Sequence, residues 1–256
     1  MRIALVSDIH GNLPALEAVL DDTRRRGVTR IVNLGDSLSG PLLPLETARF
    51  LMKQDWVQLA GNHERQLLEF AQKGGGESDT FAHALLTPEV FAWMRSLTHS
   101  RALDDEVFLC HGTPRSDVEG FLDSVEGEHT RPATADEIAG RCTLAGPRVI
   151  ACGHTHIARV LQSATGQLLV NPGSVGLQAY DDTLLDRSGP HYYRVENGDA
   201  YARYATIEKR GGAWHAQVHP VPYDQESMAL LAERNGRPDW AHALRTGMMP
   251  RQKEMQ

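Results

Sequence analysis

The chain has 256 residues, enough for one large domain or two small ones with a real core. Its 26 basic and 33 acidic side chains give a formal charge of −7 with no long basic run. That balance disfavours long nucleic acid, where phosphate neutralisation by Lys and Arg supplies most of the affinity, but not a small phosphorylated ligand.

Ile3 to Ser7 is a continuous aliphatic run, as in a strand buried on both faces. Its start at Met1 is too short an apolar stretch for a signal peptide, and it runs straight into a motif. After Asn12, a helix cap, Leu13, Leu16, Val19 and Leu20 repeat with helical spacing until Gly27. Arg30–Leu34 is the next strand, a helix follows Pro44, Trp56–Ala60 is a third strand, and a helix covers Glu64–Gln72. This β-α-β-α-β alternation predicts a parallel sheet with crossover helices. Gly74-Gly75-Gly76 marks a break, and helical stretches follow near Phe81–Leu86 and Pro88–Leu97.

From Ala102 the pattern turns to strands at Val107–Cys110, Val149–Cys152, Ala158–Leu161 and Leu168–Val170. His191–Glu196, Tyr201–Ile207 and Ala213–Val218, separated by Asn197-Gly198 and Gly211-Gly212, read as an antiparallel meander. Residues 225–256 form a C-terminal helical extension to a single domain spanning 1–256. Between Thr113 and Gly146 the pattern is irregular, and a connection of that length is expected to cover an active site. Cys110, Cys142 and Cys152 show no paired spacing, and Cys110 and Cys152, which sit in apolar runs, read as reduced core residues. No run approaches the ~18 apolar residues of a membrane span, so the chain reads as cytoplasmic, with a homo-oligomer left open.

Five short stretches where strands should run out into loops carry the Asp/His/Asn chemistry. They are Asp8-Ile9-His10, Gly35-Asp36, Gly61-Asn62-His63-Glu64, His111-Gly112 and Gly153-His154-Thr155-His156. Asp8 and His10 are two apart at a strand end, so a period of two would point both at one cation. His154 and His156 share that spacing for the same reason. Glycines flank every ligand and permit the turn that follows a strand. Asp36, just after a strand, is the natural bridging carboxylate, and Asn62 adds a neutral oxygen that limits the charge. The nitrogens of His10, His111, His154 and His156 favour first-row transition ions over Mg or Ca. His63 is left over as an acid. Together these residues point to hydrolysis of a phosphate ester, two metals driving in-line attack by a bridging hydroxide.

The five motifs, in this order, resemble those of the calcineurin-like metallophosphoesterases, closest to the small bacterial phosphodiesterase and phosphatase branch, over Ile3 to Gly176. The resemblance implies a four-layer α-β-β-α sandwich with two mixed sheets and the metal site at strand C-terminal ends. It implies two divalent transition-metal ions, Mn foremost, with Fe, Zn, Co or Ni as alternatives. One ion would be held by Asp8, His10, Asp36 and His156, the other by Asp36, Asn62, His111 and His154. It makes His63 the proton donor to the leaving group, with Glu64 near it, and Asn171-Pro172-Gly173-Ser174 a structural turn beside the site.

The segment Gly35-Asp36-Ser37-Leu38-Ser39-Gly40-Pro41 lacks the Asp-Arg pair of protein phosphatases. Without that bidentate arginine, protein or dinucleoside-polyphosphate substrates become the alternative reading, and a small phosphomonoester or phosphodiester the first. Arg115 and Arg65 are the nearest candidates for a phosphate clamp. A catalytically silent scaffold for protein interaction is the alternative from another class; such members tend to lose ligands, and none is lost here.

Overall fold

The computed structural model describes residues 2–142, 144–186 and 189–251. Met1, Thr143, residues 187–188 and the last five residues of the expected extension lie outside them. The chain runs β1 (Arg2–Val6), α1 (Leu13–Arg25), β2 (Arg30–Asn33), α2 (Pro44–Leu51), β3 (Val57–Gln58), α3 (Asn62–Lys73), α4 (Glu77–Leu85) and α5 (Pro88–Ser96). It continues through β4 (Ser100–Ala102), β5 (Val107–Cys110), β6 (Asp123–Glu126), β7 (His129–Pro132), α6 (Ala135–Arg141), β8 (Val149–Ala151), β9 (Arg159–Gln162) and β10 (Leu168–Asn171). The last elements are β11 (Ala179–Asp186), β12 (Gly189–Glu196), β13 (Ala202–Arg210), β14 (Ala213–Val221), α7 (Gln225–Arg234) and α8 (Pro238–Thr246).

Two mixed five-stranded sheets lie at the centre, ordered β14-β13-β1-β2-β3 and β4-β5-β8-β10-β9. β1, β2 and β3 are parallel, as the β-α-β alternation predicts, and β5, β8 and β10 are parallel in the second sheet. The side-chain period of two then sorts β1. Ile3 and Leu5 face the second sheet in one buried cluster with Val107, Leu109, Val149 and Val170. Ala4 and Val6 face the other way and pack with Leu16, Val19 and Leu20 of α1. On the far side, Ile150 and Leu169 pack with Ile138 of α6 and with Phe121 and Leu122. Helix, sheet, sheet and helix thus stack in the expected four layers.

Helix α1 starts where Asn12 Oδ1 accepts from the Ala15 N–H at 3.2 Å, satisfying one of the helix's orphan donors. The Asn12 amide also donates to Gly176 O at 2.9 Å, which pins the helix start to a loop beside the site.

The structure differs from expectation in two places. The predicted meander is two hairpins in different sheets: β13 and β14 join the first sheet, while β11 and β12 belong to a third sheet ordered β11-β12-β7-β6. The Asn197-Gly198 loop between them makes no hairpin because its bonds run elsewhere. Asn197 Nδ2 donates to His156 O at 3.1 Å and Gln178 O at 3.0 Å, and Gly198 N donates to Gly247 O at 3.0 Å. β13 leaves that anchor to pair with β1. The segment expected to be irregular, 113–146, contains the β6–β7 hairpin and α6, which begins with a Thr134/Glu137 capping box. The C-terminal segment forms two helices whose Met228, Ala229, Trp240 and Leu244 pack with Leu42, Leu177 and Ala179. No described helix is long and apolar enough to cross a membrane.

Leu34 is fully buried between the sheets, two residues before Asp36. Leu34→Ala is expected to cost about 2–5 kcal/mol, the usual range for a core leucine, seen as a lower urea midpoint with unchanged slope.

Candidate active site

All seven expected ligands reach one rim. β1 ends at Val6, before Asp8 and His10, so the strand period does not aim them. The backbone does it differently: Asp8, His10, Asp36, His154 and His156 all have positive φ, between 51° and 70°. Among the described residues these five are the only non-glycines with positive φ. Each such residue costs on the order of 1–3 kcal/mol and persists only where its surroundings hold it. Here Asp8 N donates to Gly35 O at 2.9 Å and His10 N to Asp36 O at 3.1 Å. The Ser174 hydroxyl donates to Asp8 O at 2.7 Å, and Asn171 Nδ2 to Gly153 O at 2.8 Å, so the Asn171–Ser174 turn braces two ligand loops.

Glu64 faces away from the reacting space. Its fully buried carboxylate accepts from the backbone N–H groups of Asp36 at 2.8 Å, Ser37 at 2.8 Å and Gly61 at 2.7 Å. It therefore ties the Gly35-Asp36 loop to the start of α3. Gly61 is required for the same approach, since a Cβ there would lie 2.1 Å from Asp36 Oδ1.

The donors form two groups, Asp8/His10/His156 and Asp36/His111/His154, whose ligand atoms lie within 4.8 Å of one another. His154 and His156 therefore serve different groups, against the equal-spacing reading and in line with the family resemblance. Asn62 Oδ1 is 3.2 Å from His111 Nε2, on the second side. Asp36 accepts the His63 N–H on Oδ1 at 2.9 Å and sets Oδ2 3.0 Å from His111 Nε2.

The tautomers decide whether this cluster fits cations. His10 Nδ1 donates to Ser39 O at 2.8 Å and His156 Nδ1 to Leu177 O at 2.7 Å. A carbonyl can only accept, so each neutral ring carries its lone pair on Nε2. Those two Nε2 atoms are 3.0 Å apart, lone pair against lone pair. Asp8 Oδ2 is buried with no hydrogen-bond partner, and Asp8 Oδ1 lies 3.6 Å from His156 Nε2. A cation satisfies all three atoms. His111 Nδ1 bonds to Leu34 O at 2.9 Å, which aims its Nε2 at Asp36 and Asn62. His154 Nε2 bonds to Val118 O at 3.1 Å, leaving Nδ1 as its lone pair.

Charge follows the same arrangement. Burial pushes Asp8 up to about 7, against the pull of His111. Burial, with neighbouring imidazoles, lowers His10 and His154 to about 4, so both are neutral donors at neutral pH. His111 goes the other way: burial pulls it down, but the Asp36 carboxylate outweighs that and raises it to about 10. A proton there occupies the gap a cation would take.

His63 stands outside both groups, its side chain 28 % exposed. Its Nδ1 lies 2.9 Å from Asp79 Oδ1, a partner that sequence reading missed. Burial lowers His63, while Asp36 and Asp79 more than offset it and raise its pKa to about 9. Nothing local marks Asp79; only the packing of α4 on α3 brings it there.

The two candidate clamp arginines are engaged elsewhere. Arg65 forks onto Asp117 at 2.6 and 3.1 Å, and Arg115 onto Glu119 at 2.9 and 2.5 Å. Neither lines the cleft of about 280 Å³ over the rim. The 113–146 segment reaches the site through the Val118 carbonyl, which meets His154, while the cleft wall comes from Gly76–Asp79, Leu177, Ala179–Asp182, Met249 and α8 with the Arg237 before it. The sequence reading passed over this wall, including Arg237 and Trp240.

Residues 1–187 match the calcineurin-like phosphoesterase superfamily domain, and the chain belongs to that family of metallophosphoesterases. An uncharacterized protein of Methanocaldococcus jannaschii is 25 % identical over 246 residues, 93 % of this chain and 94 % of its own length. The crystal structure of a metallophosphoesterase from Sphaerobacter thermophilus covers 96 % of this chain and 100 % of its own, with a TM-score of 0.73 at 24 % identity. That of a candidate diadenosine tetraphosphatase covers 86 % and 94 %, with a TM-score of 0.52 at 17 % identity.

Two outcomes are expected of purified protein. Manganese should raise the Tm of chelator-treated protein, and Asp8→Asn should lose most of that rise. An equal rise in the variant would place the metal elsewhere. Glu64→Gln swaps one acceptor for an amide that faces backbone N–H groups. It should cost about 2–3 kcal/mol in urea unfolding and weaken manganese binding roughly 10–100-fold by calorimetry.

Proposed function

We propose that the chain is a dinuclear-metal-dependent phosphoesterase that hydrolyses a small phosphomonoester or phosphodiester. The single observation that carries this reading is the pairing of unprotonated donors, His10 Nε2 against His156 Nε2 at 3.0 Å beside an unpartnered Asp8 oxygen. Such an arrangement is repulsive alone and favourable around a cation. Asp8, His10, Asp36 and His156 would hold one ion, and Asp36, Asn62, His111 and His154 the other. The nitrogen-rich donor set suits manganese or another first-row ion. When bound, two such ions supply Lewis-acid polarisation of the phosphoryl group and a water acidic enough to attack phosphorus in line.

The protein's own residues do the rest. Asp36 would bridge the two ions, its loop held by Glu64 through the backbone N–H groups of Asp36 and Ser37. His63 donates from Nδ1 to Asp79, which fixes the ring and leaves Nε2 to carry a proton to the leaving alkoxide. The cleft volume of about 280 Å³ suits a small substrate over a protein surface. The intact ligand set supports an enzyme over a silent scaffold. Three free cysteines, two of them buried, accord with action in the cytoplasm.

Asp36→Asn should reduce turnover of nitrophenyl esters to background and lower the bound metal, measured by elemental analysis; wild-type turnover with full metal content would sink the bridging role. His63→Gln should keep its metals and lose about 10²–10⁴-fold in rate on alkyl esters, with a much smaller loss on nitrophenyl esters, whose leaving group needs no proton. Asp79→Asn should follow the same leaving-group dependence at smaller size. Equal losses on both ester types would reduce Asp79 to a packing residue.

A further inference from the structure

The outer wall of the cleft is not explained by the ligand set. Arg237 is the only Lys or Arg among its described lining residues, against Glu77, Asp181, Asp182 and Asp239 on the same wall. That arginine is already committed. It reaches Asp239 from Nε at 3.0 Å and Nη2 at 2.5 Å, lies 3.3 Å from Glu77, and donates to the Ser78 hydroxyl at 2.9 Å. It has no fork left for a second phosphate or a carboxylate. Asp181 and Asp182 are exposed on β11, and Asp181 is held by the Tyr192 hydroxyl at 3.0 Å. The floor beside these acids is aromatic: Tyr180 packs on His156 at 4.6 Å between centroids, and Trp240 meets His10 edge-on at 6.1 Å, with the Arg237 guanidinium 5.7 Å from the centre of its ring. Ser39 lines the same cleft, fully buried, and its hydroxyl has no partner.

A rim of carboxylates over aromatic rings repels an anion and attracts a cation, and low-dielectric walls strengthen both effects. We propose that the cleft selects phosphodiesters whose organic group carries an ammonium, and excludes esters bearing a second anionic group. The proposal rests on the phosphoesterase reading above. The ammonium group would sit beside Asp182 and the ring of Tyr180, which share one face of β11 across from Tyr193. The Ser39 hydroxyl, whose backbone carbonyl already anchors His10, supplies a donor to the phosphoryl oxygen. The selecting surface then comes from β11 and α8, outside the five metal motifs.

The test uses manganese-loaded full-length protein and three nitrophenyl diesters sharing one leaving group. They are 4-nitrophenyl phosphorylcholine, phenyl 4-nitrophenyl phosphate, and the 5′-(4-nitrophenyl) ester of thymidine 3′,5′-bisphosphate. The expected order of kcat/KM is choline ester over phenyl ester over bisphosphate ester, with about tenfold or more between the first and last. In the double variant Asp181→Asn/Asp182→Asn, kcat/KM should fall about tenfold for the choline ester and rise for the bisphosphate ester. Opposite signs separate charge selection from simple damage, which lowers all three together. Hydrolysis of the bisphosphate ester as fast as the choline ester overturns the proposal alone, as do equal changes on all three in the variant. Hydrolysis of 4-nitrophenyl phosphate but of none of the three diesters overturns this proposal alone, and hydrolysis of none of the four overturns the phosphoesterase reading with it.

Discussion

The structure depends on one electrostatic constraint: carboxylates and imidazoles from four loops are forced together where they are largely stripped of solvent. Asp8 is fully buried, Asp36 is 2 % exposed, and His10, His111 and His156 are each at 4 % or less. Desolvated donors facing one another are repulsive unless something positive lies between them. The surrounding fold therefore has to hold the cluster against its own repulsion. It does so with the Nδ1 bonds to the Ser39, Leu34 and Leu177 carbonyls and, behind the rim, with the Glu64 carboxylate accepting three backbone N–H groups. These fix ring tautomers and loop positions without adding charge to the rim.

Backbone strain and sheet packing belong to the same design. Five left-handed non-glycine residues at one rim amount to several kcal/mol of local cost. That cost is sustained because the loops leave strands whose other ends are locked between two sheets, with Ile3, Leu5, Val32 and Leu34 fully buried. Loops alone would relax. Parallel strands also bring their C-terminal ends to one side, which is why ligands distant in sequence converge.

The third sheet and the C-terminal helices add a second level. β11 carries Tyr180, Asp181 and Asp182 to the cleft, and Trp240 of α8 closes it near His10. The metal rim and the wall over it thus come from different parts of the chain. On the proposed function the rim would serve attack on phosphorus, and the wall would bound the space left for the organic group. Arg237, held by Asp239, Glu77 and Ser78, stiffens that wall and offers no free charge to a ligand.

The family resemblance supplied the four layers; the sequence by itself determined the β-α-β order and the seven candidate ligands, with His63 left over. Those features are local: aliphatic runs set strands, helical periodicity sets helices, and Asp, His and Asn after a strand have little other use in such numbers. It also carried the absent Asp-Arg pair after Asp36. Only the tertiary structure decided that Asp8 and His10 converge through left-handed backbone, that His154 and His156 part company, and that Glu64 serves the loops. It also decided that Arg65 and Arg115 are spent on Asp117 and Glu119, and that β12 and β13 join different sheets. Each of these depends on contacts between residues far apart in sequence, as with Asp79 brought to His63 by helix packing. Periodicity reports which side of an element is buried, and it carries no information about which distant partner will be found there.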